Sequence, residues 1–283
     1  MSSTSTTQSY SSIIHALLPP STPAPVLPPP SPPHSQKPRA THPDLVSSIA
    51  SLELHPALET LLHILNGDLA SAHFLVRHMQ SPPAWEGMAL HALLHRYEGH
   101  ISNARAWYTD IAGCGLLEYA WGTASDVDAA RDSASVHKTA QEAIEADNKA
   151  KEEAGLTDKD AEAKHSAQNN ADDKDASAVG TSAAQEKSKG LPRATAFLDR
   201  VEAVQGVANA PHKFEGGAEA FEKEVQKLQR ISEIECRRLL AWCEVKYGTE
   251  KWADARGEYA AMSEKISEMA TKQVMGGEGW RQF

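Results

Sequence analysis

Residues 61–72 read LLHILNGDLASA, and residues 93–104, which begin 32 positions further on, read LLHRYEGHISNA. Two leucines and a histidine, then a glycine, then an alanine recur at matching places. Glycine favours the end of a helix, and a small residue after it lets the next helix approach closely. The repeat therefore predicts two consecutive helical hairpins, which turn at Gly67 and at Gly99.

The predicted hairpins resemble those of tetratricopeptide proteins, whose repeat is about 34 residues long. A third, poorer copy lies at Leu239–Met262, where Gly248 and Ala255 take similar positions. Such arrays usually need at least about three repeats to bury a continuous core. We therefore expect an all-α protein with TPR-like hairpins packed in one helical-hairpin bundle.

Signals for helix ends extend the helical prediction over the other apolar segments. Pro56 suits the first turn of a helix, and Gly113 and Gly248 suit helix ends. No segment alternates polar and apolar residues between turn signals, so no strand is predicted. The predicted helices are Pro43–Leu54, Pro56–Gly67, Ala70–Met79, Pro83–Gly99, Ser102–Ala112, Ala194–Val204, Gly217–Gly248 and Thr249–Met275.

The large apolar side chains concentrate in residues 44–125 and 191–276, which predicts a single helical domain built from both stretches. Residues 1–42 hold ten of the 16 prolines. Proline fixes φ and lacks an amide donor, so this segment is expected to be a disordered Pro/Ser-rich tail. It would act as a tether or as a docking ligand for a proline-reading domain.

Residues 126–190 separate the two stretches and contain no aromatic residue. They are rich in alanine, serine and charged residues, and their few apolar side chains show no helical period. We expect a disordered acidic insertion there, with at most a transient, solvated helix around Val136–Glu153.

Composition excludes several classes of function. The formal net charge is −10 and the sequence pI is about 5.7, without a run of lysine and arginine, which argues against nucleic acid as a partner. No apolar run approaches the ~18 residues of a membrane span, so no membrane partner is expected. The three cysteines form no disulfide framework or CxxC motif. We therefore expect the cysteines to be reduced thiols and the protein to be cytoplasmic or nuclear.

Histidines cluster in and just before the first apolar stretch, since nine of the 13 fall between His34 and His100. His91 and His95 are four residues apart and share one helical face, and Glu98 extends that stripe. Two imidazoles and a carboxylate could hold zinc or another divalent metal, and His73 from the preceding helix could supply a further ligand. A hydrogen-bonded polar cluster and incidental surface histidines are the alternatives, since the glutamate that follows the first histidine of zinc proteases is missing.

Residues 91–108, which read HALLHRYEGHISNARAWY, resemble the segment HxxxHRxEGDxxNAxYW of a family of uncharacterised helical proteins from bacteria and fungi. The similarity to this family extends to Ala72-His73, to residues 196–202 and to residues 229–242. The resemblance spans most of residues 44–125 and 191–247 and skips the insertion. This chain has His100 where the family usually has aspartate, and Ala106 where an aromatic residue is expected. The family has no established activity, so the resemblance bears on organisation.

The resemblance also implies a polar constellation that joins the histidines and Glu98 to Arg96, Asn103, Asp199 and Glu202. Buried polar groups are costly unless they pair or bind something. Pairing of Arg96 with Asp199 or Glu202, and capping of a helix by Asn103, would satisfy them. A polar pocket open to a small molecule is the alternative.

Other candidate residues favour packing. Cys236 and Cys243 are seven residues apart on a predicted helix, and Trp107, Tyr108, Trp242 and Trp252 stand at helical spacing, so both groups are predicted to line the core. No phosphate-binding loop, dinucleotide motif or serine-hydrolase elbow is found.

Two functional hypotheses follow. The first is a non-enzymatic helical interaction module with a protein partner, favoured by the hairpins and the two low-complexity segments. The alternative is a metal- or small-molecule-binding protein, which could be an enzyme, with a His/Glu-lined pocket. The sequence names no cofactor beyond a divalent metal.

Overall fold

The computed structural model describes residues 8–19, 40–122, 130–153, 188–252 and residue 254. Those residues form α-helices, one short 3-10 turn at Pro211–Lys213 and no strand, which confirms the predicted all-α class. The helices with both ends in the described chain are α1 Tyr10–Leu17, α2 Pro43–Ser51, α3 Pro56–Leu65, α4 Leu69–Val76, α5 Trp85–Tyr97, α6 Ile101–Asp110, α7 Gly115–Trp121, α8 Ser133–Glu153, α9 Gly190–Gly206 and α10 Gly217–Tyr247.

The repeated segments form the two predicted hairpins, α3–α4 and α5–α6. Gly67 and Gly99 adopt left-handed φ angles of 70° and 83°, which a residue without Cβ reaches at little cost. Asp68 begins α4 by accepting a hydrogen bond from the Ser71 amide. Ala72 and Ala104 are completely buried, so both hairpins use the small residue where their helices meet.

Helix α10 joins the two distant parts of the chain. Its buried residues lie between Leu228 and Cys243, and the helix packs against α3, α7, α8 and α9. One apolar core therefore contains Leu58 and Leu93 of the hairpins together with Phe197 of α9. Cys236 and Cys243 are buried in it, as predicted.

Helix α1 lies within the segment expected to be a disordered tail, so that expectation is wrong for residues 10–17. Ile13 and Leu17, one helical turn apart, are buried in the common core, and the Tyr10 hydroxyl donates to Glu244 of α10. The prediction extended the proline-rich composition over the whole of residues 1–42, but the first proline of the chain is Pro19, after the end of α1. The segment before it carries an apolar pair at helical spacing and a serine cap at Ser9.

Helix α8 lies within the expected acidic insertion, and it is packed rather than transient. Val136 and Ala140 are buried against α7 and α10, and the Tyr119 hydroxyl donates to the Val136 carbonyl. The apolar stripe was missed because two of its four members, Ala140 and Ala143, are alanines. The part of the expected insertion at residues 154–187 lies outside the described residues.

The other predicted helices of both apolar stretches are present, and their ends differ from the predicted ones by a few residues. Helix α7 was not predicted, because it is only seven residues long. Residues 249–252 are not helical, and the rest of the predicted helix Thr249–Met275 lies outside the described residues, apart from residue 254. Across the described helices, none combines the length and the hydropathy that a bilayer span requires.

Candidate metal centre

Four of the predicted site residues lie on facing parts of α4 and α5. His91 and His95 occupy successive turns of α5, Glu98 is the residue that ends it, and His73 lies in the last turn of α4. The turn at Gly99 closes α5 directly after Glu98, which leaves this carboxylate beside α4.

The Glu98 carboxylate is the centre of the cluster. Its Oε1 atom lies 2.9 Å from His73 Nε2, and its Oε2 atom lies 3.0 Å from His95 Nδ1. One ligand atom each from His73, His95 and Glu98 lies within 4.8 Å of the other two. His100 Nδ1 is 3.3 Å from Glu98 Oε2, although its side chain is largely exposed. The geometry thus brings three of the four predicted metal ligands together.

The fourth, His91, lies beside this group. Its buried ring stacks on Trp107 with a centroid distance of 4.4 Å, and the centroids of His95 and His73 are 5.8 and 6.3 Å away. Trp107, which was predicted to line the core, is half-buried and forms one wall of the histidine cluster. The prediction of core packing holds for Tyr108 and Trp242, whose side chains are buried.

The electrostatic environment of the cluster favours the protonation states that bind metals, which are an ionised carboxylate and a neutral imidazole. Burial by itself would raise the pKa of Glu98, but hydrogen bonds from His73 and His95 outweigh it and hold that pKa well below its ordinary value. Burial, together with the neighbouring His95 and His73, lowers the pKa of His91 to about 4. At neutral pH the cluster therefore offers an ionised carboxylate and, in His91, a neutral imidazole.

The predicted pairing of Arg96 with Asp199 or Glu202 is wrong. The Arg96 side chain has no exposed surface, and its Nη1 atom lies 2.5 Å from Glu235 Oε2 in α10. Arg96 follows His95 on α5, so it points about 100° away from the histidine face, into the core. Asp199 and Glu202 are instead exposed on α9 and pair with Arg105 at 2.8 and 3.6 Å.

Asn103 does not cap a helix, because it is the third residue of α6. It is exposed, and together with Glu202 and His100 it lines an open cavity of about 450 Å³. The predicted polar constellation is therefore divided into a histidine cluster, a buried Arg96 network and this surface cavity.

The buried acids of the core were missed at the level of sequence. Glu235 accepts hydrogen bonds from Tyr108 at 2.5 Å and from the Trp121 indole at 2.9 Å, in addition to its ion pair with Arg96. Glu233, also buried, is held by Arg131 and Arg237. A usable signal was present, since both acids interrupt the apolar run of α10, where a charge persists only if it is paired.

Comparison with known proteins adds no assignment, because the chain has no significant match among protein-family models, curated proteins or solved structures.

Proposed function

We propose that this protein binds one divalent transition-metal ion, with zinc as the first candidate, through His73, His95 and Glu98. The observation that carries the proposal is the convergence of two imidazole nitrogens and a carboxylate oxygen within 4.8 Å. Imidazole and carboxylate ligands together suit zinc and its first-row neighbours better than calcium or magnesium, which prefer oxygen ligands alone.

The separations between these atoms are close to those of a metal site. In a tetrahedral zinc site, bonds of about 2.0–2.1 Å place neighbouring ligand atoms about 3.3 Å apart. Each histidine nitrogen lies 2.9–3.0 Å from a Glu98 oxygen, so a small outward movement would admit the ion in place of the bridging protons. His73 is 39% exposed, which gives the ion a route from solvent.

Two features support the site beyond its three ligands. His91 adds an uncharged imidazole beside the group, so it is available as a fourth ligand or as a support for His95. His73 belongs to α4 and the other two ligands belong to the end of α5. A bound ion would therefore join the two hairpins.

The same contacts would also satisfy Glu98 as a hydrogen-bonded polar cluster without a metal.

The interaction-module hypothesis stays a prediction. Among the described residues, the large apolar side chain that is clearly exposed is Phe74, at 59%, and Arg77 stacks over its ring at 4.5 Å. A single exposed side chain does not make an interface, so the histidine cluster is the better-supported basis for a function.

The test is calorimetric titration of zinc into the untagged full chain after treatment with a chelator, with cobalt as a spectroscopic substitute. We expect one ion per chain, and binding at least about 100-fold weaker in His73→Ala and His95→Ala. Intense visible absorption of the cobalt form would indicate a tetrahedral site.

His212→Ala is the matched control, because it removes an exposed histidine from the 3-10 turn and leaves the cluster intact. It should bind zinc as the wild type does. Equal zinc affinity in the wild type, His73→Ala and His95→Ala would show that the cluster is held by hydrogen bonds alone.

A further inference from the structure

A second cavity lies where α7, α9 and α10 meet, and it does not involve the histidine cluster. Its volume is about 230 Å³, which is below the roughly 300–1,000 Å³ of pockets for drug-sized ligands. It therefore suits a small molecule. The lining residues that matter for its chemistry are Trp121, Arg193, Ala196, Phe197, Arg200 and Glu235.

Most of the cavity wall is apolar and fixed in position. Trp121 and Phe197 are buried, and their rings pack against one another with centroids 5.2 Å apart. The Trp121 indole donates to Glu235, which fixes the plane of the ring. Ala196 presents only a methyl group, so the cavity has room for the body of a ligand.

Glu235 does not offer this cavity an unsatisfied charge. One of its oxygens accepts from Tyr108 and Trp121, and the other pairs with the buried Arg96 guanidinium. A ligand therefore needs no cationic group to match the carboxylate.

The remaining charges of the cavity are two arginines on α9, Arg193 and Arg200, which lie about two helical turns apart and have donors to spare. Arg193 uses Nη1 on the carbonyl oxygens of Trp121 and Gly122, and Arg200 uses Nε on Glu224. Within the described part of the chain, Nη2 of Arg193 and both Nη atoms of Arg200 have no acceptor. Guanidinium groups with paired N–H donors recognise carboxylates and phosphates in a planar, bidentate way.

We propose that this cavity is a binding site for a small organic anion, with an apolar or aromatic body of about ten non-hydrogen atoms against Trp121 and Phe197 and an anionic head on Arg193 and Arg200. The head is a carboxylate or a phosphate monoester, which share this recognition chemistry.

The test is a titration of the full chain with benzoate, phenyl phosphate and the uncharged benzamide, followed by calorimetry and ligand-observed NMR. We expect at least one of the two anions to bind with Kd of about 10 µM to 1 mM, as suits so small a ligand. Benzamide should bind at least about tenfold more weakly. A preference for benzoate would identify carboxylates as the ligand class, and a preference for phenyl phosphate would identify phosphate esters.

Two variants with matched controls locate the site. Ala196→Leu fills the cavity from an exposed position on α9 and should weaken anion binding at least tenfold, whereas Ala203→Leu, exposed on the same helix and outside the cavity, should not. Arg200→Ala should weaken it similarly, and Arg230→Ala, an exposed arginine of α10, should leave it unchanged. Binding of neither anion at 10 mM, equal binding of benzamide, or unchanged binding in Ala196→Leu would overturn the proposal. None of these results depends on the metal.

Discussion

At the scale of single residues, the clearest consequence of burial belongs to Glu86. Its carboxylate is buried at the start of α5 and accepts hydrogen bonds from the Trp242 indole at 2.7 Å, Lys246 at 2.8 Å and the Tyr247 hydroxyl at 2.9 Å. Burial alone would raise the pKa of Glu86, but the charge and hydrogen bond of Lys246 and the hydrogen bond from Trp242 lower it.

A lowered pKa in the folded state makes the stability depend on pH in a defined direction. The unfolded chain takes up a proton on Glu86 near pH 4.5, before the folded chain does, so the contribution of this group is complete above pH 4.5 and is lost as the pH falls below it. Between the two pKa values, the free energy of unfolding should fall by up to about 1.4 kcal/mol per pH unit through Glu86 alone.

Glu86→Gln removes this titration, so its free energy of unfolding should depend less on pH than that of the wild type between pH 5 and pH 3.5. Urea unfolding at several pH values measures the difference. Glu222→Gln, which changes an exposed carboxylate of α10, should follow the wild type. Parallel pH curves for the wild type and Glu86→Gln would contradict the assignment.

At the scale of helices, α8 shows how an alanine-rich segment can be part of a core. Ala140 is fully buried where α8 meets α10, whereas Ala150 is exposed on the same helix. Ala140→Leu adds three carbon atoms at a close helix contact and should destabilise the fold by about 1–3 kcal/mol. Ala150→Leu should change the stability by less than about 0.5 kcal/mol. Equal urea midpoints for both variants would mean that α8 is a solvated helix, as its composition suggested.

At the scale of the whole molecule, local features could be predicted from the sequence and long-range pairings could not. Gly67 and Gly99 predicted the hairpins, and consecutive helices of neighbouring hairpins pack together in such an array, as α4 and α5 do. His73 of α4 could therefore be expected to meet the histidine face of α5, which is why much of the histidine cluster could be anticipated. Arg96 and Glu235 lie on separate parts of the chain, and no periodicity encodes which acid an arginine will face across a core. The preference for Asp199 and Glu202 failed for that reason.

The shared core makes a final prediction about unfolding. Because the core joins the hairpins to α9 and α10, the chain should unfold in one step, with the same urea midpoint by circular dichroism and by tryptophan fluorescence. The proposed zinc site forms only in the folded chain, so free zinc at about 100 times its Kd should add about 2.7 kcal/mol to the free energy of unfolding. His95→Ala should lose the increase and keep the single transition. Two separate transitions in the wild type would show that the hairpins and α9–α10 fold independently. Metal at the α4–α5 contact would then stabilise only the hairpins.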